Sequence, residues 1–311
     1  MIMLDSAVIG VGYVGKYHAE KYMALPDFNL AAVVDTDPGL AKRIASKYGC
    51  AALTDYRELI GEVDAVSIAV PTSLHFEIAR NFLDTGCHVL IEKPITETVD
   101  QANQLIVLAN AKNQILQVGH IERFNIAMFG LDFSTLNPQF IESYRISPFT
   151  QRSNDVNVIF DLMIHDIDII LEIVDSDIKS IDANGTPIIT DMLDIANARI
   201  TFKNGCVANI TASRVSLKTE RKIRLFMPKA YISFDLQNNV MKKYSLSEGK
   251  NNSDYKNILS EEIKHVSGDA LLDEIKDFQK CIQSGNEPIV SGKSGQRALE
   301  TAIRITELIN K

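Results

Sequence analysis

Short, nearly unbroken apolar runs punctuate the first 120 residues. Ser6-Ala7-Val8-Ile9-Gly10 ends in a glycine and Leu30-Ala31-Ala32-Val33-Val34-Asp35 ends in an acid. Ala65 to Val70, Val89 to Glu92 and Ile115 to Val118 follow. Stretches with helical spacing lie between them, such as Pro38 to Tyr48 and Ser73 to Asp84. Apolar strands that alternate with helices predict a parallel sheet covered on both faces.

The pattern changes after His120. From about Gln139 to Leu246 most segments alternate apolar and polar positions. Ala198 to Phe202 and Val207 to Thr211 flank Lys203-Asn204-Gly205-Cys206, and Asn-Gly between two alternating runs predicts a hairpin. Further strands are expected at Lys222 to Met227, Tyr231 to Leu236 and Val240 to Leu246, which makes this half an antiparallel sheet. A helix pattern at Phe160 to Val174 interrupts it, and two more close the chain at Ala270 to Ser284 and Ser294 to Asn310. The polar stretch Ser247 to Asn257 reads as a surface loop.

Composition narrows the function classes. The chain has 311 residues, enough for about two domains, and a net charge of −8 with no basic run. That is a poor match to a nucleic-acid coat or an anionic membrane surface. The longest stretch without Asp, Glu, Lys or Arg runs from Ala65 to Phe76, too short to span a bilayer. Cys50, Cys87, Cys206 and Cys281 are scattered, with no CxxC or Cys/His cluster, so neither a metal site nor a disulfide framework is expected. The expectation is a cytoplasmic protein in a reducing compartment.

Gly10-Val11-Gly12-Tyr13-Val14-Gly15 is a GxGxxG sequence between a predicted strand and a helix pattern that opens at Tyr17. In that setting the first glycine allows a tight turn and the second lets a pyrophosphate approach the backbone. The third lets helix and strand pack closely. Asp35 follows 20 residues after Gly15, at a strand end, where a carboxylate accepts hydrogen bonds from both adenosine ribose hydroxyls. A carboxylate there repels a 2′-phosphate, and no Arg or Lys follows until Lys42, so NAD is expected rather than NADP.

Two further segments carry candidate chemistry. Ile91-Glu92-Lys93-Pro94 ends the fourth strand, where open parallel sheets bind ligands, and a lysine there can polarise a hydroxyl. Asp161 and His165 are four apart on one predicted helix face, with Asp168 close to it. An acid beside an imidazole can orient it as a general base. Taken singly, Lys93 reads more simply as a surface lysine, and Asp161/His165 as a helix-terminal acid plus a satisfied histidine.

Together, the glycine fingerprint, Glu92-Lys93-Pro94 and Asp161/His165 resemble the Gfo/Idh/MocA family of NAD(P)-dependent sugar and cyclitol oxidoreductases. The resemblance implies an α/β fold. A Rossmann domain with a doubly wound parallel sheet spans residues 1–120. An α/β domain on a large, open, mostly antiparallel sheet spans 121–311, and its C-terminal helix packs back on the first domain. It implies that Lys93 binds the reacting hydroxyl, that His165 is the acid/base, and that Asp161 stands beside it. It assigns cofactor contacts to Gly10, Gly12, Tyr13, Val14, Gly15, Asp35, Glu92 and Lys93, and to Val70-Pro71-Thr72; His75, just beyond, reads as structural. Gly119 to Asn125 is similar to members acting on nucleotide sugars. The segment Arg152 to Asp168 is similar to bacterial UDP-N-acetylglucosamine 3-dehydrogenases of lipid A precursor synthesis. Arg123, Asn125 and Arg152 then become substrate contacts, with Arg152 meeting a phosphate. Val158 and Ile159 depart from the glycines that many members carry before the acid.

The implied reaction passes a hydride from a sugar carbon to nicotinamide while a neutral His165 takes the hydroxyl proton, so activity falls at acid pH. A free-polyol dehydrogenase of inositol or glucose is the main alternative. A non-enzymatic NAD sensor and a methyltransferase are rivals from other classes. The Ala, Ile and Phe that alternate from Ala196 to Phe202 suggest an apolar face, and hence a homodimer or homotetramer through the second sheet.

Overall fold

The computed structural model describes residues 3–150, 156–246, 258–265 and 268–311. The Ser247 to Asn257 loop and Arg152 lie outside the described residues. The chain divides into two compact units, one of residues 1–124 with 269–299, the other of residues 125–268 with 300–311.

The first unit holds a six-stranded parallel sheet of order β3-β2-β1-β4-β5-β6. Its strands are β1 (Leu4–Ile9), β2 (Phe28–Val34), β3 (Ala51–Leu53), β4 (Ala65–Ile68), β5 (His88–Glu92) and β6 (Leu116–Gly119). The short β3 has no apolar run of its own and escaped the pattern; it pairs with the end of β2. Helices α1 (Gly15–Met23), α2 (Pro38–Tyr48), α3 (His75–Asp84) and α4 (Val99–Lys112) connect the strands. Helix α2 starts where Asp37 accepts the Gly39 and Leu40 amides and ends at Gly49 in the left-handed region. Thr98 and Gln101 form a reciprocal capping box on α4. The chain reverses at β1–β4, so the carboxyl ends of those strands open a ligand crevice.

Helix α5 (Glu122–Ala127) follows β6. Helix α7 (Ala270–Ser284) belongs to the first unit, where Ile275 and Phe278 are fully buried against Ala19, Tyr22, Leu25 and Phe28. Burying two such side chains stabilises by about 4 kcal/mol. Lys21 pairs with Asp269 at 2.9 Å, and Gln279 donates to Asp27 at 3.1 Å. Helix α8 (Gly292–Ile309) closes the chain.

The second unit is built on an eight-stranded sheet of order β14-β13-β12-β11-β7-β10-β9-β8. These strands are β7 (Phe140–Ile146), β8 (Ile178–Thr186), β9 (Ile195–Phe202), β10 (Val207–Ser213), β11 (Glu220–Met227), β12 (Ala230–Asp235), β13 (Val240–Leu246) and β14 (Ile258–Lys264). Every pair is antiparallel except β7–β10. The β9–β10 hairpin turns at Gly205, whose φ of 92° needs a residue without Cβ. Before helix α6 (Ile164–Val174), the segment Ile159–Met163 is wound as a single π-helical turn.

One expectation changes here. The alternating apolar residues of β9, Ala196, Ala198, Ile200 and Phe202, are all buried in the unit's own core, so they are not an open apolar face. The intervening Asn197 and Arg199 are exposed. The apolar row on that face lies elsewhere. Phe140, Phe226, Tyr231 and Tyr244 form a ladder with successive centroids 5.6, 5.1 and 5.9 Å apart. No helix among the described residues is long and apolar enough to cross a membrane.

Candidate active site

The glycine turn is sterically obligatory at two of its three positions. Gly10 has φ +84°, and a Cβ there would stand 2.6 Å from the Ala69 carbonyl oxygen. A Cβ on Gly15 would run into the Gly10 carbonyl. Around Gly12, by contrast, no atom of the described residues lies within 4 Å of where a methyl group would stand, so the fold itself leaves room for a side chain there. The Val11 amide donates to Asp35 Oδ2 at 3.0 Å, and the Asp37 amide donates to Asp35 Oδ1 at 3.0 Å. Each carboxylate oxygen has accepted one bond and keeps capacity for a ribose hydroxyl.

A cleft of about 510 Å³ opens over this turn. It brings together Gly10, Gly12, Asp35, Val70 and Pro71 from the sequence reading. Tyr13 and Val14 are exposed beside it, and Thr72, Glu92 and Lys93 are not among its lining residues. Thr54, Asp55, Tyr56 and Arg57 do line it, and sequence reasoning missed them. They follow β3, the strand without an apolar signature. Arg57 brings a cation to the cleft from beyond β3. Its guanidinium lies 3.4 Å from Asp55 and 3.8 Å from Glu77, which hold it at the cleft.

Lys93 follows β5 and is joined to Pro94 by a cis peptide bond. The buried His75 ring bridges two backbone segments here. Nε2 lies 2.9 Å from the Val70 carbonyl oxygen and Nδ1 3.0 Å from the Pro94 carbonyl oxygen. Burial holds its pKa below the ordinary histidine value, so a neutral ring donates to one of the two carbonyls. His75 thus ties the Val70-Pro71 loop to the Lys93-Pro94 bend.

Glu92 is half-buried. Its Oε1 accepts from His18 Nε2 at 3.1 Å and its Oε2 from the Lys93 amide at 3.3 Å. His18 Nδ1 meets Ser67 Oγ at 3.0 Å, which meets the Tyr22 hydroxyl at 2.8 Å. The four thiols are free, and burial pushes those of Cys206 and Cys281 up to about 11, which removes them as nucleophiles at neutral pH.

In the second unit, Asp161 lies within the π-helical turn and His165 in the first turn of α6; both are half-buried. Single π turns recur at functional sites because they re-aim side chains against the helix that follows. Asn157 starts the turn, accepting the Ile159 and Phe160 amides on Oδ1 at 3.0 and 3.2 Å. Two buried ion pairs brace this segment. Arg145 reaches Asp166, next to His165, at 2.7 Å. Arg214 reaches Asp194 at 2.8 Å and donates to the Val156 carbonyl at 2.6 Å. Burial opposes ionisation of Asp194. The Thr190, Ile189 and Ile188 amides and the Arg214 guanidinium outweigh it and hold the carboxyl well below the usual range. Val158 and Ile159 are fully buried, so the chain here is anchored by packing where a glycine would leave it loose. Asp168 is buried, Arg123 is 3% exposed and Asn125 is half-buried.

Comparison with known proteins agrees with both units. Residues 4–120 match the model of an oxidoreductase family with an NAD-binding Rossmann fold, and residues 125–233 match the GFO/IDH/MocA C-terminal domain. A UDP-N-acetylglucosamine 3-dehydrogenase of Acidithiobacillus ferrooxidans is 37% identical over 306 residues, spanning 98% of this chain and 97% of the relative. A solved structure of that organism's UDP-N-acetylglucosamine 3-dehydrogenase superposes with a TM-score of 0.92 at 36% identity, covering 99% of this chain and 98% of the other. A myo-inositol 2-dehydrogenase of Thermotoga maritima is 26% identical over 94% of this chain and 92% of its own. The obligatory glycine turn, the acid at the end of β2 and the full-length match agree: this chain belongs to the Gfo/Idh/MocA family of oxidoreductases.

Proposed function

We propose that this protein oxidises the 3-hydroxyl of a UDP-N-acetylhexosamine, with NAD⁺ as the cofactor. The observation that carries the substrate class is the 37% identity over nearly the full length of both chains to a UDP-N-acetylglucosamine 3-dehydrogenase. The preference for NAD rests on Asp35, whose carboxylate stands at the end of β2 and would repel a 2′-phosphate. Arg57 on the cleft is the residue that weighs the other way.

When bound, the nicotinamide supplies the hydride acceptor. The protein's part is binding, orientation and proton handling. Gly10, Gly12 and Gly15 bring backbone amides and the N-terminus of α1 to the pyrophosphate. Tyr13 and Val14 cover it, Asp35 holds the ribose, and Val70, Pro71, Thr72 and Glu92 shape the cofactor's surroundings. Lys93 binds and polarises the reacting hydroxyl. His165 takes its proton, with Asp161 orienting the imidazole. Arg123, Asn125 and Arg152 bind the substrate beyond the reacting carbon. The aromatic ladder of Phe140, Phe226, Tyr231 and Tyr244 is the surface through which copies of the chain associate as a homodimer or homotetramer.

The test follows nicotinamide absorbance on mixing the protein and NAD⁺ with UDP-N-acetylglucosamine, with a 2-oxoacid as optional acceptor. Myo-inositol, scyllo-inositol and glucose run in parallel, each also with NADP⁺, and His165→Ala is the control. Reduction with the nucleotide sugar alone, lost in the variant, is the expected result. Reduction only with a polyol would replace the substrate by the inositol class, for which the 26% relative speaks.

A further inference from the structure

Glu274 is the most unusual carboxylate among the described residues of the first unit. It projects from α7, is fully buried, and neither of its carboxylate oxygens has a hydrogen-bond partner among the described residues. A lone ionised carboxylate in such a place is strongly disfavoured. One side-chain nitrogen or oxygen from each of Glu274, His18 and Glu92 lies within 4.8 Å of the others. The Gln117 side-chain amide donates to the Glu274 carbonyl at 2.9 Å and so fixes this turn of α7 against β6.

An ionised Glu92 gives the hydrogen bonds around it one consistent polarity. Glu92 receives from His18 Nε2 and from the Lys93 amide. In the tautomer protonated on Nε2, His18 Nδ1 accepts from Ser67, and Ser67 can accept from Tyr22. Every donor in that chain points toward the Glu92 carboxylate. Glu92 is the anion of the cluster, and Glu274 is a second carboxyl with no donor of its own. Two carboxylates so close, one of them fully buried, do not both ionise. Burial first, then Glu92 and Asp277, raise the Glu274 pKa well above the ordinary value. Burial also opposes ionisation of Glu92, but His18 and Lys93 outweigh it and lower its pKa. The charged and titratable groups facing Glu274 are therefore Glu92 on β5, Asp277 on its own helix, and His18 and Tyr22 on α1.

We propose that Glu274 is a positioning residue for Lys93: it sits in the core as the neutral acid, holds the one proton of the Glu92–Glu274 pair, and thereby keeps a single fixed anion under the Lys93-Pro94 bend. The proposal rests on the reading of Lys93 as the hydroxyl-binding group. Gly119 fits the same purpose, because a Cβ there would press on the Glu92 carboxylate at 3.0 Å. A cation bound between ionised Glu92 and Glu274 is the competing way to balance the charge. With His18 as a third ligand, Nε2 would leave its bond to Glu92; this cation is an outcome of the test.

The experiment compares wild type, Glu274→Gln and Glu274→Leu in thermal unfolding from pH 5 to pH 9, with and without EDTA, and in steady-state kinetics. A raised native pKa means that the folded state binds more protons than the unfolded one above the ordinary glutamate value, so wild-type stability is eroded as pH rises. Glutamine titrates in neither state. The Gln variant should gain on wild type with rising pH until the gap levels off, and EDTA should change neither protein. The Gln variant should keep at least about a third of wild-type kcat, whereas Leu, which cannot hydrogen-bond, should lower kcat about tenfold or more with little change in the KM for NAD⁺. Wild-type kcat should decline on the alkaline side, and that decline should be absent with Gln. A Gln variant less stable than wild type throughout, or a wild type destabilised by EDTA, would overturn the neutral acid in favour of a cation. If Leu does not fold, the pH profile decides the positioning role: superimposable kcat profiles for wild type and Gln would overturn it. The unfolding arm uses no substrate, so a failure of the Lys93 reading leaves the proton assignment separately tested.

Discussion

The Val11 amide donates a 3.0 Å hydrogen bond to the Asp35 carboxylate, which joins the glycine turn to the end of the neighbouring strand. The acid thus has two tasks. It closes the glycine turn, and it keeps lone pairs that the proposed cofactor's ribose would use. Asp35→Asn should raise the KM for NAD⁺ about tenfold or more, because it removes charge-assisted hydrogen bonds. Isothermal titration with NAD⁺ and NADP⁺ checks this. Unchanged NAD⁺ affinity would show that the carboxylate serves the turn alone.

The glycines separate steric from ligand constraints. Gly15→Ala should unfold or strongly destabilise the first unit, since its methyl meets the Gly10 carbonyl. Gly12→Ala should melt within a few degrees of wild type, since no protein atom lies within 4 Å, and should still lose NAD⁺ binding. Circular dichroism melts with cofactor titration distinguish the two. A Gly12→Ala protein that binds NAD⁺ normally would remove the pyrophosphate from this position.

His165→Ala should lower kcat by about a hundred- to ten-thousandfold, the usual range for loss of a general base, while cofactor affinity stays near wild type. Lys93→Ala should raise the substrate KM as well as lower kcat, because that side chain is assigned to binding the hydroxyl. Initial-rate measurements at saturating NAD⁺ separate the two patterns. Full activity in either variant would refute its assigned role.

Asp194→Asn should cost about 3 to 5 kcal/mol of stability, as expected when one partner of a buried ion pair is removed and Arg214 keeps its charge. Its depressed pKa adds a pH dependence. The stabilisation is present above the ordinary aspartate value and is lost as pH falls toward the lower native value. Urea denaturation at pH 7 and pH 2.5 measures both. A loss below about 1 kcal/mol at pH 7 would mean that the pair does not brace the loop.

His75 offers the opposite limb. Its pKa is depressed by burial, so its contribution is complete above the ordinary value of 6.5 and is lost as pH falls below it. Comparing His75→Gln with wild type by thermal melts should show a stability gap that shrinks from pH 7.5 to pH 5. A gap independent of pH would mean that the ring is not the neutral bridge between Val70 and Pro94.

The legibility of this protein follows from what each device needs. Helix α2 was readable to the residue because Pro38, Tyr48 and Gly49 are local signals, and the β9–β10 hairpin was readable because Asn204-Gly205 is one. Strand β3 was not, since Ala51–Leu53 has no pattern and forms only because the edge of β2 offers it hydrogen bonds. The π-helical turn was also hidden: Phe160 to Val174 reads as one continuous helix, and the wider turn arises from Asn157 and the buried Val158 and Ile159 at its start.

The sequence by itself determined the order of the elements, the glycine turn with its acid, and the residue types able to move a proton, because these depend on neighbours along the chain. Tertiary structure alone decided what stands around them. It took the apolar stripe of β9 into the core and left the Phe140–Tyr244 ladder outside. It carried Arg57 to the cleft over the glycine turn and α7 onto the first unit. It set Glu274, 182 positions beyond Glu92, beside that carboxylate and the imidazole of His18. Each of these juxtapositions joins residues far apart in the chain, and burial, which gives a carboxylate or a cation its chemistry, is a property that no local pattern encodes.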